Sequence, residues 1–308
     1  METTEETEIK KERTPAFRAI LVIIVIIIFS LFFILMRGGE DPQQQLRFVV
    51  IPGEELTEQA LYMQPVEDYL TSELGMEVDI IIATDYAAAA EALKYEHAEI
   101  AWLGPFAYLI AEKITDIEPI AASIREGKEL TYQSVIFTRN DTGIETLEDI
   151  RGKTFAFNDV GSTSGYLVPM YAFSKLGMNP EEDFAEVTFA GSHMASQLAV
   201  YNGQVDAGAS NLPTYEKLVE AGQIDSDIQK IIWYSDPIPS NPIVMRTNLD
   251  PELKGKIQKA FLTMDSKMGT FQGPGNKKFE GFGRVESSDY DVLREMAKAL
   301  NLDLSKID

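Results

Sequence analysis

The stretch MEVDIIIATDYAAAAEALKYEHAEIAWLG, residues 76–104, decides the fold class. MEVDIIIAT (76–84) is an apolar run rich in isoleucine, which predicts a strand. YAAAAEALKYEH (86–97) has helical composition, and AEIAWLG (98–104) predicts the next strand. Working outward, LRFVVIP (46–52) reads as a strand and 56–75 as one helix or two, with Pro65 marking the doubt. Pro105 stands where proline opens a helix, here FAYLIAEKI. The same alternation continues downstream, with strands at 131–139, 153–159, 186–191 and 204–211. Helices are expected at 165–177 and 194–203, and two more, PELKGKIQKAFLTM and YDVLREMAKALNL, near the carboxyl end. Alternating strands and helices predict an α/β fold with mainly parallel strands. The helix–strand pair ending at EIAWLG echoes the pair ending at VDAGAS. DPIPSNPIVMR (236–246), with three prolines, suits a chain crossing between two bodies. The expected organisation is therefore two lobes, 46–131 with 242–308 as the first and 132–241 inserted as the second. Ligands of such folds sit at the carboxyl ends of strands, in the crevice between units.

Composition removes much chemistry in advance. The chain has 308 residues, 45% of them hydrophobic, and carries a formal charge of −22. So acidic a surface repels a phosphate backbone, so no nucleic-acid partner is expected. Cysteine is absent, which excludes disulfides, thiolate zinc sites, iron–sulfur clusters and a cysteine nucleophile. His97 and His193 are the only histidines, which excludes a multi-histidine metal site.

The amino terminus predicts an address. AILVIIVIIIFSLFFILM (19–36) contains one polar residue, Ser30, and as a helix would span roughly 27 Å. Lys10, Lys11, Arg13 and Arg18 precede it, so the positive-inside rule puts 1–18 in the cytoplasm. No A-x-A-like cleavage site follows, and the segment reads as an uncleaved transmembrane anchor. Residues 37–45 would then be a linker to an extracytoplasmic body.

The chemically informative stretch is KTFAFNDVGSTSGYLVPMYAF (153–173). A strand ends near Asp159, Gly161 permits a tight turn, and Ser162, Thr163 and Ser164 open a helix. Small hydroxyl residues there satisfy orphan amides, and a plain helix cap is one reading. The other is an oxyanion site built from amides, hydroxyls and the helix dipole, with no lysine or arginine needed. GSTSG is not a G-x-S-x-G elbow, and no phosphate-binding P-loop motif occurs. His193 follows a strand end and suits either a structural role or donation to an anion. Tyr86 opens its helix and Tyr132 lies at the lobe boundary, each as readily packing as ligand contact. Trp102 is expected in the first core and His97 on the surface.

ATDYA (83–87), EIAWLG (99–104), YQSVI (132–136), GSTSGYLVP (161–169), AGSHMASQLAV (190–200) and IPSNPIV (238–244) occur in that order. Together they resemble the phosphate/phosphite/phosphonate-binding components of ABC transporters, type II periplasmic binding proteins, over roughly residues 46–308. The resemblance implies a two-lobed clamshell that closes on a small phosphorus oxyanion, without cofactor or metal. It implies that Ser162, Thr163 and Ser164 hold the phosphoryl oxygens, with Tyr86, Tyr132 and His193 reaching the ligand. Aminoalkylphosphonate-binding members carry a glutamate where this chain has Pro213 and an aspartate where it has Asn241. Those differences favour a ligand without an amine: phosphite, methylphosphonate or inorganic phosphate. The expected partner is an ABC permease in the same membrane. A phosphorus sensor signalling to a membrane partner is the alternative, although METTEETEIKKERTPAFR is too short for an enzymatic output domain. Hydrolysis through Ser164 or Thr163 would need His193 as base, with no oriented acid assignable, and an enzyme is not expected.

Overall fold

The computed structural model describes residues 45–52, 56–125, 129–273 and 277–307. The expected cytoplasmic segment, the anchor at 19–36 and the linker up to residue 44 lie outside them. Among the described residues no helix is long and apolar enough to cross a membrane.

Two sheets organise the body. The first has seven strands in the order β13-β14-β4-β12-β3-β1-β2. These are Phe271–Gly273 (β13), Lys277–Gly283 (β14), Ile117–Arg125 (β4), Pro242–Arg246 (β12), Ile100–Trp102 (β3), Leu46–Val50 (β1) and Val78–Ile82 (β2). The second has five, in the order β10-β6-β9-β7-β8. They are Gln229–Tyr234 (β10), Ser134–Arg139 (β6), Ala207–Asn211 (β9), Thr154–Phe157 (β7) and Glu186–Phe189 (β8). Helices Leu56–Leu74, Tyr86–Lys94 and Pro105–Ile114 accompany the first sheet, and Val168–Lys175, His193–Tyr201 and Leu212–Glu220 follow strands of the second. Pro65 lies inside the first of these helices without dividing it.

The apolar runs read as strands because both faces of the first sheet are covered. Phe48, Val50, Ile100, Trp102, Ile243 and Met245 enter one core. Their alternates Val49, Ala101 and Val244 enter the other, with Leu103 and Phe106. Trp102, as expected, is fully buried, its ring centroid 5.0 Å from Phe279 and 5.1 Å from Phe282. In the second sheet Phe155 packs edge-on to Phe173 at 5.3 Å. His97 is exposed, also as expected.

The strands are not mainly parallel. Parallel pairing is confined to β1 with β2 and β3, and β7 with β8 and β9; every other pair is antiparallel. Strand–helix–strand units generate the parallel trios. Strands that enter a sheet after the chain has crossed from the other, such as β6 and β12, run against their neighbours.

The crossings themselves pair. Thr131–Tyr132 (β5) and Ile238–Pro239 (β11) form a two-stranded antiparallel ribbon, Tyr132 opposite Ile238. The run TYQSVIFTR, expected as one strand, is thus two, separated at Gln133, whose side-chain amide donates to the Ser235 carbonyl at 2.6 Å. Pro239 has no N–H to extend the ribbon, which keeps it short. Strand β4 escaped the sequence reading because Pro119 interrupts IEPIAASIR. It is tolerated where the β12 register shifts.

Trp102→Ala should cost about 3–5 kcal/mol of unfolding free energy, read by urea denaturation of the chain. A loss below about 1 kcal/mol would mean that the aromatic cluster around it is not a rigid core.

Candidate functional site

The carboxyl ends of β7, β8 and β9 converge with the starts of the helices that follow β2 and β3. After β7 the chain runs through Asn158 and Asp159 to Ser162, whose Oγ accepts from the Gly165 amide at 3.0 Å. Thr163–Leu167 then winds as a π-type turn before the α-helix begins at Val168. Such wide turns recur at functional sites. Ser162, Thr163 and Ser164 are 1–2% exposed, so their hydroxyls are spent inside the protein, not on solvent.

Thr163 reaches across to the first sheet's helices. Its Oγ1 accepts from the amide of Phe106 at 2.9 Å. That amide is an orphan donor in the first turn of Pro105–Ile114, whose cap residue, Gly104, offers no side chain. The Ser164 carbonyl accepts from Ser134 Oγ at 2.7 Å, fixing the turn to β6. Tyr132, buried on the ribbon, places its hydroxyl against the hydroxyls of Ser164 and Thr163. Burial raises the phenol's pKa, while the Arg125 charge and those hydroxyls oppose the rise.

Two glycines allow the turn to pack, one against the first sheet's helix and one against its own root. At Gly161 a Cβ would come within 2.8 Å of Tyr86 Cβ, and at Gly165 within 2.4 Å of Asn158 Cγ. Tyr86 is the first residue of its helix, capped by Asp85, which accepts from the Ala88 amide at 2.7 Å. The turn after β7 and the helix after β2 therefore touch backbone to side chain.

His193 begins its helix, one position earlier than the sequence reading, because Ser192 takes the cap and accepts from Ala195 N at 3.1 Å. Its Nδ1 lies 3.2 Å from Ser210 Oγ and in close contact with the Asn158 amide. With that amide turned so that its nitrogen donates to the Ala209 carbonyl at 2.7 Å, Asn158 Oδ1 accepts from the His193 ring. The ring then donates from Nδ1, so its Nε2 can donate to an anion only in the imidazolium form.

Asn241 lies between β11 and β12, half-buried, with its Oδ1 3.5 Å from Arg125 Nη2. Pro213 sits in the first turn of the helix after β9, half-buried. The structure thus gathers Tyr132, Ser162, Thr163, Ser164 and Tyr86 around one turn. His193 is held to that turn's root through Asn158, and Asn241 borders it through Arg125. Sequence reasoning overlooked Asn158, Ser210 and Arg125. The last of these was signalled only as a lone cation ending an apolar run, AASIR. Among the described residues no cluster of acids and histidines could hold a metal ion.

Beside the turn lies a cavity of about 300 Å³ lined by Asp85, Tyr86, Asp159 and Gly161, with Ala107, Ile110 and Ile307 among its walls. Burial raises the Asp159 carboxyl above its ordinary value, the Gly161 amide opposes this, and the charge of Asp85 adds to it.

Two interleaved α/β sheets joined by a paired crossing ribbon, with a polar turn buried between them, define the α/β periplasmic-binding-protein class. The chain belongs to the family described as ABC transporter, phosphonate, periplasmic substrate-binding protein, which matches residues 48–290. It is 31% identical over 228 residues to the phosphonates-binding periplasmic protein of Escherichia coli, covering 72% of this chain and 67% of that one. To the phosphate-import protein PhnD of Mycolicibacterium smegmatis it is 29% identical over 276 residues, 82% of this chain and 85% of that one. The solved binding-protein component of a phosphonate ABC transporter from Pseudomonas aeruginosa superposes with a TM-score of 0.72 at 27% identity. That match covers 82% of this chain and 85% of the other.

Gly161→Ala should force the turn away from Tyr86 and open the approach between the sheets. Small-angle scattering should report a larger radius of gyration than wild type, and an unchanged radius would contradict the role of this contact. Asp159 supplies a pH test. Its folded pKa lies above the unfolded one, so stability falls as pH rises from the unfolded value through the raised folded value. Asp159→Asn should raise the melting temperature at neutral pH, with the gain vanishing at acidic pH; equal gain at both would contradict the burial argument.

Proposed function

We propose that this protein is the membrane-anchored extracytoplasmic receptor of an ABC importer, and that it binds one small phosphorus oxyanion by clamshell closure. The observation that carries the proposal is the buried turn Ser162–Ser164. It combines three hydroxyls, a helix start and the Tyr132 phenol in a protein whose net charge of −22 would repel an anion at any ordinary surface site. In such a site short charge-assisted hydrogen bonds, not long-range attraction, supply affinity. The names of the relatives, a phosphonates-binding protein and a phosphate-import protein, support phosphorus oxyanions as the ligand class.

Closure brings the lobe of residues 46–131 and 242–308 against the lobe of residues 132–241. Tyr86 and the Phe106 amide approach from the first. The serine–threonine–serine turn and His193 approach from the second, and Tyr132 and Asn241 from the ribbon between them. The oxyanion accepts hydrogen bonds from both sides, so it is held only when the lobes are together, and the closed shape is what the permease recognises. No bond is made or broken and no cofactor takes part. Pro213 offers no charge to an ammonium group, which favours phosphite, methylphosphonate or inorganic phosphate over an aminoalkylphosphonate. Segment 19–36 anchors the receptor beside its permease, with 1–18 in the cytoplasm. The family's importer role favours delivery over sensing.

Thermal unfolding of the full chain in detergent, with phosphite, inorganic phosphate, methylphosphonate, 2-aminoethylphosphonate or sulfate, tests this reading. A ligand at about 100 times its dissociation constant adds about 2.7 kcal/mol, a shift of several degrees. One of the three amine-free phosphorus anions should give that shift and sulfate none. A shift confined to the aminophosphonate would overturn the reading of Pro213, and no shift with any would overturn the receptor.

A further inference from the structure

Two arginines are buried among the described residues, Arg125 at 9% exposure and Arg246 at 7%. Arg246 has its counterion, an ion pair with Glu96. Arg125, the last residue of β4, has none among the described residues. Its Nε has no hydrogen-bond partner. The guanidinium carbon lies 4.6 Å over the Tyr132 ring and 5.6 Å over Phe279, and Nη2 makes one long contact, 3.5 Å, to Asn241 Oδ1. A buried charge left in this condition is costly unless something outside the chain completes it. Both polar neighbours of the guanidinium, Tyr132 and Asn241, belong to the ribbon and its exit, where the proposed ligand contacts gather.

Orientation adds the specificity. A guanidinium has only donors, so it fixes the Asn241 carbonyl oxygen toward itself and turns the amide's NH₂ the other way. Tyr132 extends its hydroxyl to Ser164 and Thr163 from the same cationic platform. Positive charge and donors therefore stand together, whereas a ligand bearing P–OH would need an acceptor there.

Resting on the receptor reading, we infer that Arg125 is the counter-charge of the bound oxyanion. With Asn241 held as a donor, it makes the site select the doubly ionised form of the ligand. Arg125 acts through Asn241 and Tyr132 and is a positioning residue. The groups that face it are the Tyr132 phenol from β5, the Asn241 amide from the β11–β12 connection and the Phe279 ring from β14. Glu129, bridged to it through the backbone, is exposed. Burial presses the guanidinium's pKa downward and Tyr132 alone opposes this, in keeping with a charge that lacks a carboxylate. The readout has to be the ligand itself, because it is the ligand's ionisation that the inference concerns.

The experiment is ³¹P NMR of the full chain in detergent with phosphite, methylphosphonate or inorganic phosphate, whichever the unfolding scan selects, titrated through its second ionisation. In wild type the bound resonance should stay at the dianion position throughout. Affinity should fall about tenfold for each pH unit below the free ligand's second pKa. Asn241→Asp, nearly isosteric, gives Arg125 a carboxylate and the ligand an acceptor. Its bound resonance should move to the monoanion position and its affinity should stop falling on acidification. Arg125→Lys, a second variant should the first not fold, keeps a charge but loses the planar fork, and should bind more weakly while retaining the dianion position. A wild-type resonance at the monoanion position, or one that titrates like free ligand while bound, overturns the inference and leaves the receptor intact. Absence of binding by all three anions removes both.

Discussion

A chain with a formal charge of −22 can hold an anion only where local dipoles and buried positive charge outweigh its own field, and much of the architecture serves that constraint. The answer is burial. Hydrogen bonds gain strength where water is excluded, and the turn at Ser162–Ser164 is excluded from it almost completely. Exclusion requires that two separately built sheets meet closely at one place. Gly161 permits that meeting by leaving out a side chain that would collide with Tyr86, and Gly165 lets the turn fold back on Asn158. Thr163 completes it by capping, from the second sheet, the helix that follows β3 in the first.

The same junction ties together the two crossings of the chain. Each crossing of the chain contributes two residues to a ribbon, Tyr132 faces Ile238, and proline at 239 ends the ladder. A ribbon that short can bend without breaking either sheet, because β4, β6, β10 and β12 keep their own pairings on both sides. The ribbon also carries Tyr132, so the crossing itself touches the candidate site. In the closure we propose, a ligand contacting that residue bears on the relative positions of the sheets.

Much of this was legible in the residues, for definite reasons. Strands buried on both faces leave continuous apolar runs, so β1, β2 and β3 stood out. A turn of small hydroxyl residues between a strand and a helix is an ordinary cap by itself, and the ordered motifs around it made it conspicuous. What remained hidden depended on pairing. Strand direction cannot be read from apolar runs, and the antiparallel majority followed from where the chain crosses. Strand β4 was obscured by Pro119, which only a register shift in its partner excuses. Arg125 ends that strand 116 residues from Asn241 in the chain, and no spacing rule links them. Asn158 looked like an ordinary strand end until the fold set it between Gly165 and His193.

The central claim is that the oxyanion is held at the buried serine–threonine–serine turn between the two sheets. A crystal structure of the chain grown with the phosphorus anion that stabilises it tests this most directly. The account predicts the oxygens of the anion within hydrogen-bonding reach of Ser162, Thr163 and Ser164, with Tyr86 and His193 closing from opposite sides. Density for the anion anywhere else, including the cavity beside Asp85 and Asp159, would contradict it.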